Sequence, residues 1–285
     1  MSIKNDAKEI KEEFQKDDVP LLAAAQAYHY LLSIIPMLIL LLSIVPYLNI
    51  SSSQIMRFIS EVLPDETSSI FKDSIVSVVK TPSGGLLTIG ILGTIWSASN
   101  GIHAFIKASN QAYEVEENRS FLKVRLISIA LTFGMIIALV VSIVLPVFGQ
   151  VILKMVNVFI PMPEHIKLIL SILRWVISII VITSILIVLY RFAPNKTLPV
   201  KEILPGACLA SILWLLISLS FSFYVSNFGN YSATYGSLGG IIVMMIWFFL
   251  TGLILMIGAE INVVNHRKKR QQSQTSQQGE MNVTH

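Results

Sequence analysis

An arginine at position 174 interrupts one long apolar stretch of this chain, and a single carboxylate, Glu260, interrupts another. Few other side chains in such stretches could bind or exchange protons: Gln26, His29, Asn100, His103, Lys107 and Asn262. A guanidinium offers paired donors that match phosphate and carboxylate geometry, so Arg174 suits an anionic group. Ionisable groups inside apolar spans face a partner or a wet cavity, which makes the remaining set a candidate polar vestibule. Metal chemistry is not expected. The histidines at 29, 103, 165, 266 and 285 have no ligand spacing, and no acidic cluster accompanies them. No Gly-rich phosphate loop ending in Lys-Ser or Lys-Thr occurs, so ATP would have to act through another chain, and no cofactor is expected. The chain reads as a non-enzyme.

The elements that must position these groups are long apolar helices. The composition is 54% hydrophobic and 13% charged, against about 25% charged in soluble domains. Six apolar stretches run over 21–48, 85–106, 126–152, 166–192, 203–228 and 238–264. Each reaches the ~20 residues a helix needs to cross a bilayer. The expected fold is all-α: a polytopic bundle of six transmembrane helices, an N-terminal amphipathic helix and a short helical extracytoplasmic cap. Residues 1–20 form the cytoplasmic amphipathic helix, with Ile3, Ala7, Ile10 and Phe14 on one face and Pro20 ending it. The membrane domain covers 21–264, including the insertion 49–84, whose two apolar patterns end at Pro64 and Pro82. Residues 265–285 read as a disordered basic and polar cytoplasmic tail. The first span is expected to stay, because its small residues precede the apolar run and a cleavage site would follow it. Cys208, the only cysteine, lies in the fifth span and can form no internal disulfide.

Lys and Arg set the orientation. Fifteen fall on the side that holds both termini and five on the other, with Arg174 left inside the fourth span. Both termini are therefore expected in the cytoplasm of a multi-pass cell-membrane protein. The net charge of +4 then reports topology and not nucleic-acid binding. The basic run Arg267–Arg270 anchors the chain and could meet anionic lipid head groups.

Topology converts position into depth. Gln26, His29, Asn100, His103, Lys107, Glu260 and Asn262 fall in the inner half of the membrane. Arg174 lies roughly 12 Å from the outer end of its span, at 1.5 Å per residue. Tyr224 and Asn227, with Tyr231 and Tyr235 in the following loop, are the candidate partners at its depth. Gly93, Ser97 and Gly101 form a small-residue face that lets a neighbouring helix approach closely.

Several motifs occur in order. They are the run Ala24 to Pro36, Ile95-Trp96-Ser97-Ala98-Ser99 followed by Gly101, Pro205-Gly206, Tyr231 to Gly239, and Gly258-Ala259-Glu260-Ile261-Asn262. Across residues 15–265 the chain resembles the YihY/BrkB membrane proteins. The resemblance implies a bacterial inner or plasma membrane protein from a family linked by name to virulence. It also implies an old ribonuclease BN label, and for some members the movement of lipids or lipid-linked glycans. His29 stands where members often carry a tyrosine or another bulky residue, which speaks against a proton-relay role. The ribonuclease label fits badly, since His29 and His103 lie too deep to reach RNA. Two readings stay open: a transporter or flippase-like protein for an anionic amphiphile, and a non-transporting scaffold of envelope machinery. Membrane lipids are the expected partners; the oligomeric state is open.

Overall fold

The computed structural model describes residues 3–44, 83–137, 163–228 and 239–283. Every regular element among them is helical. They are α1 (Ile3–Lys16), α2 (Val19–Ile44), α3 (Gly84–Ala112), α4 (121–137), α5 (Glu164–Phe192), α6 (Val200–Phe228) and α7 (Gly239–Val283). Five of these (α2, α3, α5, α6 and α7) are long and apolar enough to cross a membrane. Helix α4 begins the third expected span. The rest of that span, from 138 to 152, lies outside the described residues, as does the expected cap up to residue 82.

Leu21, Ile35, Ile89, Leu168, Leu219 and Phe223 point outward from the bundle, as side chains solvated by lipid tails do. With lipid outside, burying apolar surface drives helix association weakly, and close packing must supply the difference. Glycines provide it at two seams. A Cβ on Gly90 would sit 2.8 Å from Leu40 Cα, and one on Gly101 would sit 2.3 Å from the Tyr30 ring. The small face of α3 is thus occupied by α2 of the same chain. A Cβ on Gly206 of α6 would meet the Gly258 carbonyl of α7 at 2.1 Å. There the Gly206 N–H donates to Asn262 Oδ1 at 2.9 Å, and Asn265 donates to the Glu202 carbonyl at 3.1 Å. Asparagines of α7 therefore complete the first turns of α6 around Pro205.

The core between the seams holds Phe105 and Tyr190, with ring centroids 5.9 Å apart, and Tyr190 Oη donates to the Leu255 carbonyl at 2.9 Å. Thr183 and Ser211 share a hydrogen bond of 2.9 Å between α5 and α6. In hydrocarbon such a bond satisfies two groups that have no water to turn to.

Two local expectations need correction. Pro20 does not end α1; it sits in the first turn of α2, where the missing N–H costs nothing. The break is made by Asp18, whose φ of 48° is a left-handed conformation that aspartate tolerates. The last helix does not stop at 264 but runs to Val283. Its extension is held by side chains beyond the membrane. His266 meets Glu202 at 2.6 Å, Arg267 meets Glu13 at 2.6 Å and Lys268 meets Glu9 at 2.9 Å. The Arg267–Glu13 contact also places the start of α2 and the end of the α7 span at one face of the bundle. An even number of crossings must separate them.

Candidate functional site

The polar groups at this face come from helix ends that the chain shapes carefully. Helix α3 stops because Glu114 takes a left-handed φ of 51°. The Val115 N–H then reaches back to the Asn110 carbonyl and the Glu114 N–H to the Gln111 carbonyl, both at 2.9 Å. This is the helix-ending geometry usually given to glycine. Glu114 is held there by ion pairs to Lys16 and, at 3.4 Å, to Arg267. The hydrogen bond to Lys16 keeps the Glu114 carboxyl below its ordinary range. The next turn is tied down by Arg119, which chelates Glu117 and donates to the carbonyls of Phe192 at 3.1 Å and Ala193 at 2.8 Å. That guanidinium holds the Glu117 carboxyl down at about 2.

The expected inner layer divides into groups with different surroundings. Asn100 accepts from Arg125 at 2.7 Å, and the same guanidinium donates to the Trp96 carbonyl at 2.9 Å and stacks on the Trp96 ring at 3.6 Å. Arg125 counted only as a topology charge in the sequence, yet it is buried against α3. His29 of α2, with its ring beside Tyr28, lies within electrostatic reach of His103 and Lys107 of α3. His103 Nδ1 is buried with no hydrogen-bond partner among the described residues. These three residues and Arg125 make one basic cluster. Gln26 is fully buried and donates to the Leu22 carbonyl at 3.3 Å. Asn262 is taken up by Gly206.

Glu260 belongs to a different, acidic cluster. Its carboxylate, fully buried, lies with those of Glu13 and Asp17, one oxygen from each falling within 4.8 Å of the others. Gln111 reaches across from α3 to the Asp17 carbonyl at 3.2 Å, which packs the turn between α1 and α2 into place. Burial, reinforced by Glu13, pushes the Asp17 carboxyl above its ordinary range. Asp17 and Glu13 were absent from the sequence-derived site because they precede the first span. Only folding brings them to Glu260.

Among the outer candidates, Tyr224 and Asn227 are exposed at the far end of α6, where Asn227 donates to the Phe223 carbonyl at 2.8 Å. Arg174 has a backbone place in α5 roughly 27 Å along the helix from Phe192, at 1.5 Å per residue. Its side chain, with Tyr231 and Tyr235, lies outside the described residues.

Between these ends lies an apolar cavity of about 340 Å³, bordered by α2 through α7. Tyr30, Ala98, Ile102, Met135, Leu186, Trp214 and Phe248 line it, and none of the seven inner-layer candidates does. The lining is therefore not the polar vestibule expected; the polar groups sit nearer the terminal face, and His29 and His103 directly adjoin the lining residues Tyr30 and Ile102 in sequence.

An all-helical bundle with an apolar exterior and five helices long and apolar enough to span defines a multi-pass cell-membrane protein. Residues 10–282 match the family described as Virulence factor BrkB, and the chain belongs to that family. It is 42% identical over 248 residues to the ribonuclease-like protein YfkH of Bacillus subtilis (strain 168), covering 87% of this chain and 90% of that one. A UPF0761 membrane protein of Tolumonas auensis is 28% identical, covering 86% and 80% of the two chains. Another from Haemophilus influenzae, NTHI0384, is 25% identical, covering 92% and 95%. No solved structure matches the chain.

Proposed function

We propose that this protein binds an anionic amphiphile within the bilayer and moves it between leaflets, acting as a transporter or flippase-like protein for a lipid or lipid-linked precursor. The observation that carries the reading is the apolar cavity of about 340 Å³, with His29, His103 and Lys107 clustered on α2 and α3, two of the helices that wall it. Its volume falls at the lower end of the 300–1,000 Å³ typical of small-molecule sites. Apolar walls suit an acyl chain, and the Lys107 ammonium, with the His29 and His103 imidazoles as hydrogen-bonding neighbours, suits a phosphate-like head. Arg174, far along α5 from this cluster, supplies a second cation for the same head group toward the other leaflet. Tyr224, Asn227, Tyr231 and Tyr235 are its proposed neighbours.

A scaffold without transport would be served by a filled bundle, and the cavity argues against it. The protein is also proposed to be non-enzymatic. The ribonuclease-like name belongs to YfkH, and the cluster here is built from the first and second spans, α2 and α3, with Arg125 from α4. Mass spectrometry of co-purified lipids tests the proposal. Wild type should retain an anionic lipid class that Arg174→Ala and Lys107→Ala each deplete. Identical lipid profiles in all three proteins would overturn it.

A further inference from the structure

We propose that Glu13, Asp17 and Glu260 form a binding site for a hard divalent cation, which fastens the turn between α1 and α2 to α7. Oxygen atoms from the three carboxylates fall within 4.8 Å of one another. Ligands on opposite sides of one calcium ion, each at about 2.4 Å, are separated by that same span. The groups are withdrawn from water: Glu260 is 0% and Asp17 4% exposed, and the Glu13 side chain 13%. Both oxygens of Glu260, Oε2 of Glu13 and Oδ2 of Asp17 are buried without a hydrogen-bond partner outside the cluster among the described residues. Carboxylates in such a setting need a cation or protons, because an unpaired buried charge is too costly to keep.

A separate residue points to the same missing ligand. Tyr113, at the end of α3, is 6% exposed, and its hydroxyl has no hydrogen-bond partner among the described residues. It lies within electrostatic reach of Glu260. A buried phenol beside buried carboxylates is satisfied by a ligand of the cluster, such as a water held on the ion.

Charge counting favours a divalent ion. The charged side chains acting on Asp17 and Glu260 are Glu13, Glu114, Lys16 and Arg267, besides each other. With all four carboxylates ionised they outnumber the two side-chain cations by two, the charge of one divalent ion. All ligands are oxygen, which selects Mg²⁺, Ca²⁺ or Mn²⁺ over softer metals. Arg267 remains on Oε1 of Glu13 at 2.6 Å, and Oε2, which Lys16 approaches only to 3.7 Å, is the oxygen that would take the ion.

The test uses the full chain, purified in non-ionic detergent and stripped with EDTA, with Mn²⁺ as the probe. Electron paramagnetic resonance and calorimetric titration should find one saturable Mn²⁺ per chain, displaced by Mg²⁺ or Ca²⁺. Glu260→Gln and Asp17→Asn should each weaken it at least tenfold, and Glu12→Gln, on the exposed side of α1, should leave it unchanged. Absence of saturable binding in wild type would overturn the site in favour of neutralisation by protons, whatever the fate of the variants. Binding of equal strength in both cluster variants would overturn it as well. Lipid transport enters neither readout.

Discussion

Replacing Gly206 with alanine asks the seam between α6 and α7 to accept one methyl group. The new Cβ would stand 2.1 Å from the Gly258 carbonyl oxygen and 2.4 Å from Asn262 Oδ1. Real Cβ contacts essentially never fall under 3.0 Å, so the two backbones must part by close to an ångström. A flexible side chain could swing away, but the obstacle here is a carbonyl in mid-helix. Forcing methyl groups into a packed site costs about 1–3 kcal/mol. Parting the helices also stretches the 2.9 Å bond from the Gly206 N–H to Asn262, and a buried group left unsatisfied costs about 1–3 kcal/mol more. Alanine returns about 0.5–1 kcal/mol through its better helix propensity. The net expectation is a loss of about 2–4 kcal/mol from these opposing contributions. Thermal unfolding in detergent, followed by circular dichroism at a fixed scan rate, should show an apparent Tm lower by on the order of 5–10 °C. Gly240→Ala is the control, since a Cβ there meets nothing within 4 Å among the described residues. A Gly206→Ala protein as stable as wild type, or a Gly240→Ala protein equally weakened, would refute the packing argument.

Two further outcomes follow from the face that carries the termini. Arg125→Lys should lose the stacking on Trp96 and one of the bonds to Asn100 and the Trp96 carbonyl, costing about 1–3 kcal/mol in the same unfolding assay; an unchanged Tm would show that a bare charge suffices there. Glu117 is held at about 2, below its usual 4.5, so its contribution is complete above pH 4.5 and disappears as pH falls toward 2. Hydrogen exchange of residues 113–120, corrected for intrinsic rates, should speed up across that window in wild type, whereas Glu117→Gln should already exchange fast at pH 6 and change little; parallel profiles would remove Glu117 as the cause.

Five of the expected spans were legible because lipid imposes a length and a polarity that any sequence must display. Even the close approach along α3 could be read from Gly93, Ser97 and Gly101, since small residues four apart have few other uses in a span. Arg125 was misread as a plain topology charge because nothing local distinguishes a stacked, buried guanidinium from one in water. Its partner Asn100 accordingly looked free for a vestibule. Glu260 was found as an isolated carboxylate, but its companions were hidden: Glu13 and Asp17 stand before the first span and look like solvent-facing charges of an amphipathic helix. Their burial depends on Asp18 turning the chain with a left-handed φ and on Gln111 holding that turn. The helical extension beyond 264 escaped notice for the same reason, as Glu202, Glu13 and Glu9 supply its partners from distant parts of the chain.

The central claim is that an amphiphile crosses the membrane with its tail in the apolar cavity. Proteoliposomes carrying a fluorescent anionic phospholipid in one leaflet measure this directly, by dithionite quenching over time. Wild type should accelerate exchange between leaflets over protein-free vesicles. Ala98→Phe, which places a ring in the cavity lining, should abolish the acceleration while the protein still reconstitutes and unfolds near the wild-type temperature. Exchange equal to that of empty vesicles in wild type, or undiminished exchange in Ala98→Phe, would contradict the account.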